Sequence, residues 1–63
     1  MADDQAELSS LTSVLDDLIG RVNAIVVRRV ADDPDDLLAN ELFEIDRLLQ
    51  GASRRMVRVL RSQ

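Results

Sequence analysis

The sequence contains neither cysteine nor histidine. Without thiols it has no disulfide framework and no thiolate zinc site, and without imidazoles it has no di-iron site of the Glu-x-x-His type. These absences matter because the chain has only 63 residues, and domains below about 70–80 residues usually rely on disulfides, a metal or oligomerisation. We therefore expect the chain to be stabilised by oligomerisation, with no metal and no cofactor.

Residues that favour β-structure and tight turns are scarce. The chain has one aromatic residue, Phe43, one proline and two glycines, which is little material for β-turns or cross-strand aromatic pairs. Apolar residues make up 46% of the chain and charged residues 32%, a balance typical of folded helical proteins rather than disordered segments. The composition predicts an all-α fold.

Long apolar runs and lysine are missing as well. The longest apolar run is Ala24–Val27, whereas a helix needs about 20 apolar residues to cross a bilayer. The chain begins with acidic residues, unlike a secretory signal, so we expect a cytoplasmic protein. All eight basic residues are arginine, which we interpret as the codon bias of a GC-rich bacterial genome.

The charge balance restricts the expected partners. The net charge is −4 and no aromatic residues alternate with the basic ones, so we expect no binding to nucleic acid or to membranes. Four arginines lie near the C-terminus. We interpret them as complementing the helix dipole and pairing with the acidic N-terminus; they are Arg54, Arg55, Arg58 and Arg61.

The first half of the chain has the apolar spacing of an amphipathic helix over about residues 5–31. Intervals of three and four separate the residues of its apolar seam, which are Leu8, Leu11, Leu15, Leu18, Val22 and Ile25. Further apolar residues flank this seam and widen the stripe to roughly 160°. One partner helix covers only part of such a stripe, so the pattern indicates at least one further contact.

The segment of residues 32–36 interrupts this pattern with four aspartates around Pro34. We predict a turn at about residues 32–33, with Asp33 as the N-cap and Pro34 in the first turn of a second helix over about residues 34–61. Capping and turn formation account for the aspartates, and Arg28 is expected to pair with Asp36 across the turn.

The second helix repeats the heptad-like spacing. Its predicted seam consists of Leu38, Leu42, Ile45, Leu49, Ala52, Met56 and Val59. When the chain folds back at the turn, Leu18 faces Leu49, and every other seam residue of the first helix also meets a seam residue of the second. The sequence therefore predicts one antiparallel helical hairpin over residues 1–63, with a coiled-coil-like seam.

The functional prediction is a non-enzymatic protein-interaction module in which two hairpins form a homodimeric four-helix bundle. The chain has no constellation of catalytic side chains, and its apolar stripes exceed what the hairpin alone can cover. Phe43 is either a lone exposed aromatic or part of a contact strip with Ala39 and Val57. The predicted interface consists of Val14, Ile19, Val26, Val30, Phe43, Leu48 and Val57.

Two alternatives fit the same composition. The chain is an accessory subunit that docks its two helices on a larger regulator or enzyme, or it is a bundle enzyme that binds a small anion through Arg29 with Glu41 or Glu44. Folding in isolation separates the homodimer from the accessory subunit, and saturable anion binding identifies the third possibility.

Overall fold

The computed structural model describes residues 2–62, and side-chain exposure is defined for residues 3–62. Helix α1 is Ala2–Asp32 and helix α2 is Leu37–Ser62. The helices pack against each other as a hairpin 47 Å long and 14 by 12 Å across. The predicted all-α antiparallel hairpin is confirmed. Neither described helix combines the length and the apolar character that spanning a membrane requires.

The turn differs from the predicted one because helix α1 runs on through the first aspartates. The Asp33 N–H still donates to the Arg29 carbonyl (2.8 Å), and the Asp33 carbonyl accepts from the Asp36 N–H (3.1 Å). The Asp33 carboxylate also accepts from the Asp35 N–H (3.0 Å), which closes an Asx turn. Pro34 therefore lies in the turn, and α2 begins three residues later, at Leu37.

Asp36 rather than Asp33 is the N-cap of α2. Its Oδ1 accepts from the Ala39 N–H (2.9 Å), and its carbonyl accepts the first helical hydrogen bond, from the Asn40 N–H (3.2 Å). These are the bonds that an N-cap makes to the third and fourth helical residues. The prediction of Asp33 was wrong because that residue is already committed to the end of α1 and to the Asx turn.

The seam between the helices is more polar than predicted. Thr12 and Asp46 are buried, and Ser53 is half-buried. Thr12 is satisfied within its own helix, since its Oγ1 donates to the Leu8 carbonyl (2.8 Å). Most of the buried and half-buried helix residues recur at intervals of three and four; these are Leu8, Thr12, Leu15, Ile19, Val22 and Val26 on α1, and Ala39, Leu42, Asp46, Leu49, Ser53, Met56 and Leu60 on α2. Ile25, Gly51 and Val57 are half-buried beside them.

Both helices are thus rotated about their axes relative to the prediction. Four of the six predicted seam residues on α1 and three of the seven on α2 are half-buried, including Leu15 and Leu49. The others, including Leu18 and Ile45, are exposed on one side of the hairpin. Leu18 therefore does not face Leu49 in the seam.

One contact between the helices departs from the predicted register. The Ser53 hydroxyl donates to the Asp16 carboxylate across the helices (2.8 Å), whereas the predicted register placed Gly51 opposite Asp16. A shift in this direction agrees with the turn, whose midpoint lies one residue later in the chain than predicted.

Candidate functional site

The hairpin exposes a continuous row of apolar side chains along one side. Five large ones, Leu11, Leu18, Leu38, Ile45 and Val59, are between 43% and 49% exposed. They recur at intervals of seven residues on each helix, and Ile25 and Ala52 complete the two rows. Residues seven apart lie on nearly the same line of a helix. We call this surface the apolar face; it consists of Leu11, Leu18, Ile25, Leu38, Ile45, Ala52 and Val59.

The other side of the hairpin carries a groove next to the turn. Its volume is about 570 Å³, and it is lined chiefly by Asn23, Val26, Val27, Val30, Phe43 and Asp46. Asn23 follows Leu18 by five residues, and Phe43 follows Leu38 by five, which is about 140° around each helix. The groove and the apolar face therefore lie on opposite sides of the seam. We call the groove side the groove face.

Asp46 is an unusual residue in the seam beneath the groove. Its side chain is only 9% exposed. Oδ2 accepts from the Gln50 Nε2 (2.8 Å), whereas Oδ1 is buried without a hydrogen-bond donor among the described residues. A buried acceptor without a donor costs about 1–3 kcal/mol, and more when the group is charged. We therefore expect Asp46 to weaken the packing of the two helices, which substitution by leucine would test.

An ion pair closes the turn end of the hairpin. The Arg29 Nε lies 3.1 and 3.2 Å from the two carboxylate oxygens of Asp36, and Nη2 lies 3.1 Å from Oδ2. The hydrogen bond from Arg29, and after it the one from the Ala39 N–H, hold the pKa of the Asp36 carboxyl below its ordinary value. The same bond to Asp36 raises the pKa of Arg29. The predicted pair of Arg28 with Asp36 is wrong by one residue.

This ion pair predicts how stability depends on pH. A carboxyl group whose pKa is lower in the folded protein than in the unfolded chain stabilises the fold at pH values above its ordinary pKa. That stabilisation is lost as the pH falls through the lowered pKa. The raised pKa of Arg29 contributes at every pH below its ordinary value, so it adds no acid dependence. We expect Asp36→Asn to lower the melting temperature at pH 7, and the difference from the parent to shrink towards pH 3. Thermal melts at one protein concentration measure this.

Asp35→Asn is the matched control, because Asp35 contributes its backbone N–H rather than its carboxylate to the turn. A constant difference between the Asp36→Asn variant and the parent across the acid range would show that the ion pair does not contribute to stability.

Among the described residues, no ion pair joins the arginines near the C-terminus to the acidic N-terminus. Within residues 2–62 three ion pairs form, joining Arg21 to Asp17 (3.9 Å), Arg29 to Asp36 (3.1 Å) and Arg47 to Glu44 (3.5 Å). The pairing expected of Arg58 and Arg61 is therefore wrong among the described residues. Local helix neighbours and the turn supply the partners instead, since they are already within reach of a long side chain.

The predicted interface residues fall in four places. Val26, Val30 and Phe43 line the groove, and Val57 lines a smaller depression among the C-terminal arginines. Ile19 is half-buried in the seam, while Val14 and Leu48 are exposed along the edges of the apolar face. One flat contact cannot include all seven residues.

Residues of the apolar face were assigned to the intrachain seam by sequence reasoning and so were missed as surface residues. Two signals in the sequence point to them: the roughly 160° width of the stripe, and the polar residues Thr12 and Ser53 one position after Leu11 and Ala52. When polar residues occupy the contact between the two helices, the apolar residues next to them on each helix can contact another chain.

Two of the residues considered for anion binding already have ion-pair partners. The Arg29 guanidinium is held by Asp36, and Glu44 lies beside Arg47. The structure, over the residues it describes, brings no three Asp or Glu side chains together as metal ligands. No protein-family model matches this chain, and neither curated proteins nor solved structures gave a match.

Proposed function

We propose that this chain is a non-enzymatic interaction module in which two hairpins associate through their apolar faces to form a four-helix bundle. The observation that carries the proposal is the rotation of both helices. The apolar rows of Leu11 and Leu18 and of Leu38 and Ile45 remain 43–49% exposed beside the seam, while polar Thr12, Asp46 and Ser53 occupy the seam. In a four-helix bundle, such central rows point at the bundle axis, and the flanking positions contact the neighbouring helix.

The exposed surface of the hairpin supports the need for a second copy. The chain exposes 5046 Å², whereas a compact monomer of 7.1 kDa would expose about 4,100 Å². The difference is close to the roughly 800 Å² that each subunit buries in a standard interface. Ala39, at 1% exposure, is the only apolar residue among residues 3–62 that is buried. A single hairpin therefore has almost no core.

The charges along the edges of the apolar face are compatible with a second copy. On α1 the edge carries Glu7 near the free end and Arg28 near the turn, and on α2 it carries Glu41 near the turn and Arg55 near the free end. Opposite charges therefore lie at each end of the face. Such exposed pairs contribute about 0–1 kcal/mol each, so they select an orientation rather than drive association.

The proposal predicts that the purified chain sediments at twice its mass of 7.1 kDa. Its melting temperature should rise with protein concentration, because mass action couples folding to association. Sedimentation equilibrium and thermal melts over a hundredfold concentration range measure both properties. A monomeric mass with a melting temperature independent of concentration would contradict the proposal.

A further inference from the structure

The groove face remains uncovered when two hairpins associate through their apolar faces. Phe43 is 54% exposed and Val27 61% exposed at the turn end of this face. Together with Val26 and Val30 they form the apolar walls of the groove. Side chains of this kind anchor amphipathic helices in grooves.

A row of arginines follows one edge of the same face along α2. Arg47, Arg54 and Arg61 are seven residues apart and so lie on nearly the same line. Arg54 lines three successive depressions, which it shares with Arg47 and Gln50, with Asp16 and Ser53, and with Val57 and Arg61. No described carboxylate lies within 4.0 Å of Arg54, Arg58 or Arg61, because the ion pairs among the described residues involve other arginines.

The opposite edge of the groove face is uncharged and small. It follows Ser13, Gly20 and Val27 on α1, again seven residues apart. A Cβ built on Gly20 would meet no atom within 4 Å, so a neighbouring backbone can approach closely there. The groove face thus has an apolar end, one edge rich in arginine and one edge without charge. Asp16 and Asp46 lie between the two edges, and Glu44 lies beside Arg47.

We propose that the groove face binds an amphipathic helix of a partner protein, whose apolar residues lie against Phe43 and whose acidic flank lies along Arg54 and Arg61. Charge complementarity selects the acidic flank, since these guanidiniums lack carboxylate partners in the hairpin. A helix fits the elongated shape of the face. Polyanions such as nucleic acid fit poorly, because the net charge of −4 repels them outside this edge. The groove residues are not part of the apolar face, so a partner helix can bind the groove face of a hairpin that is already in the dimer.

A designed peptide tests the proposal on the full chain. The probe is a fluorescein-labelled helical peptide of about 18 residues, roughly 27 Å long, with leucines on one face, glutamates along one flank and glutamine elsewhere. A second peptide carries lysine at each glutamate position. We expect the glutamate peptide to bind saturably in fluorescence anisotropy and the lysine peptide to bind at least about tenfold more weakly, because the arginines repel it.

Variants of the protein locate the binding site. Arg54→Gln/Arg61→Gln and Phe43→Gln should each weaken binding of the glutamate peptide about tenfold. Arg54→Gln alone should also weaken binding, and its matched control is Arg21→Gln, which makes the same change in net charge on the other side of the hairpin. The control variant should stay within about twofold of the parent.

Several results would overturn the proposal. These are absence of saturable glutamate-peptide binding, equal binding of the lysine peptide, or an equal loss in the control variant. Tighter binding of a single-stranded oligonucleotide or of phosphatidylserine vesicles than of the glutamate peptide would assign the arginines to another class of partner. Sedimentation equilibrium on each variant separates failure of peptide binding from failure of the proposed dimer. Phe43→Gln should weaken peptide binding and still sediment with the mass of the parent dimer.

Discussion

Leu18→Glu is expected to dissociate the dimer and to leave the chain largely unfolded at micromolar concentration. Leu18 is 45% exposed in the hairpin and lies in the middle of the apolar face. In a four-helix bundle the new carboxylate would be buried without a partner, at a cost of several kcal/mol. A core of this size supplies only about 3–5 kcal/mol, so the substitution removes most or all of the stability.

Leu37→Glu provides the matched control for this substitution. Leu37 is 79% exposed at the first position of α2, where the helix dipole favours a carboxylate. The control variant should keep the parent mass and melt within about 0.5 kcal/mol of the parent. Circular dichroism and sedimentation equilibrium on both variants measure the difference. A Leu18→Glu variant that sediments and melts like the parent would place the dimer contact elsewhere.

Asp46→Leu is expected to stabilise the protein by about 1–3 kcal/mol. The substitution removes a buried oxygen that lacks a donor and replaces it with apolar surface against the opposite helix. Because about 1 kcal/mol shifts the melting temperature of a domain this small by about 4–8 °C, thermal melts resolve the effect easily. The hydrogen bond to Gln50 is lost, but Gln50 is an exposed residue, so water can bind its amide instead.

The Asp17→Leu variant controls for the change in helix propensity and charge. Asp17 is an exposed α1 residue whose carboxylate lies 3.9 Å from Arg21, so its replacement should gain no more than about 0.5 kcal/mol. Asp46→Asn keeps the size of the side chain and should fall between the parent and the Leu variant. If the Asp46→Leu variant melted no higher than the Asp17→Leu variant, the Asp46 carboxylate would not destabilise the folded protein.

A stabilising Asp46→Leu change would connect the seam to the groove face. Residues that cost stability are commonly retained where they serve function, and Asp46 lines the groove that we assign to a partner helix. Measuring binding of the glutamate peptide to the Asp46→Leu variant would show whether this carboxylate shapes the groove or only weakens the hairpin.

Much of the candidate site could be named from the sequence, although its arrangement could not. Phe43, Val26 and Val30 were predicted to form contacts, and the structure brings them together in one groove. Asp46 was not singled out, because an aspartate beside a predicted seam resembles any solvated helix residue. Only the packed helices show that its carboxylate is buried. The sequence also could not show that Arg54 and Arg61 lack ion-pair partners among the described residues, because that depends on which side chains the fold brings together.

The sequence alone determined that the chain is an antiparallel pair of helices. Periods of three and four require helices, and the aspartates around Pro34 require a break between them. Tertiary structure decided the rotation of each helix, the register and the cap at Asp36. A stripe of roughly 160° permits several rotations with similar apolar burial, so periodicity cannot choose among them. Packing against the second helix and the hydrogen bonds of the turn make that choice, and they turn the apolar face outward.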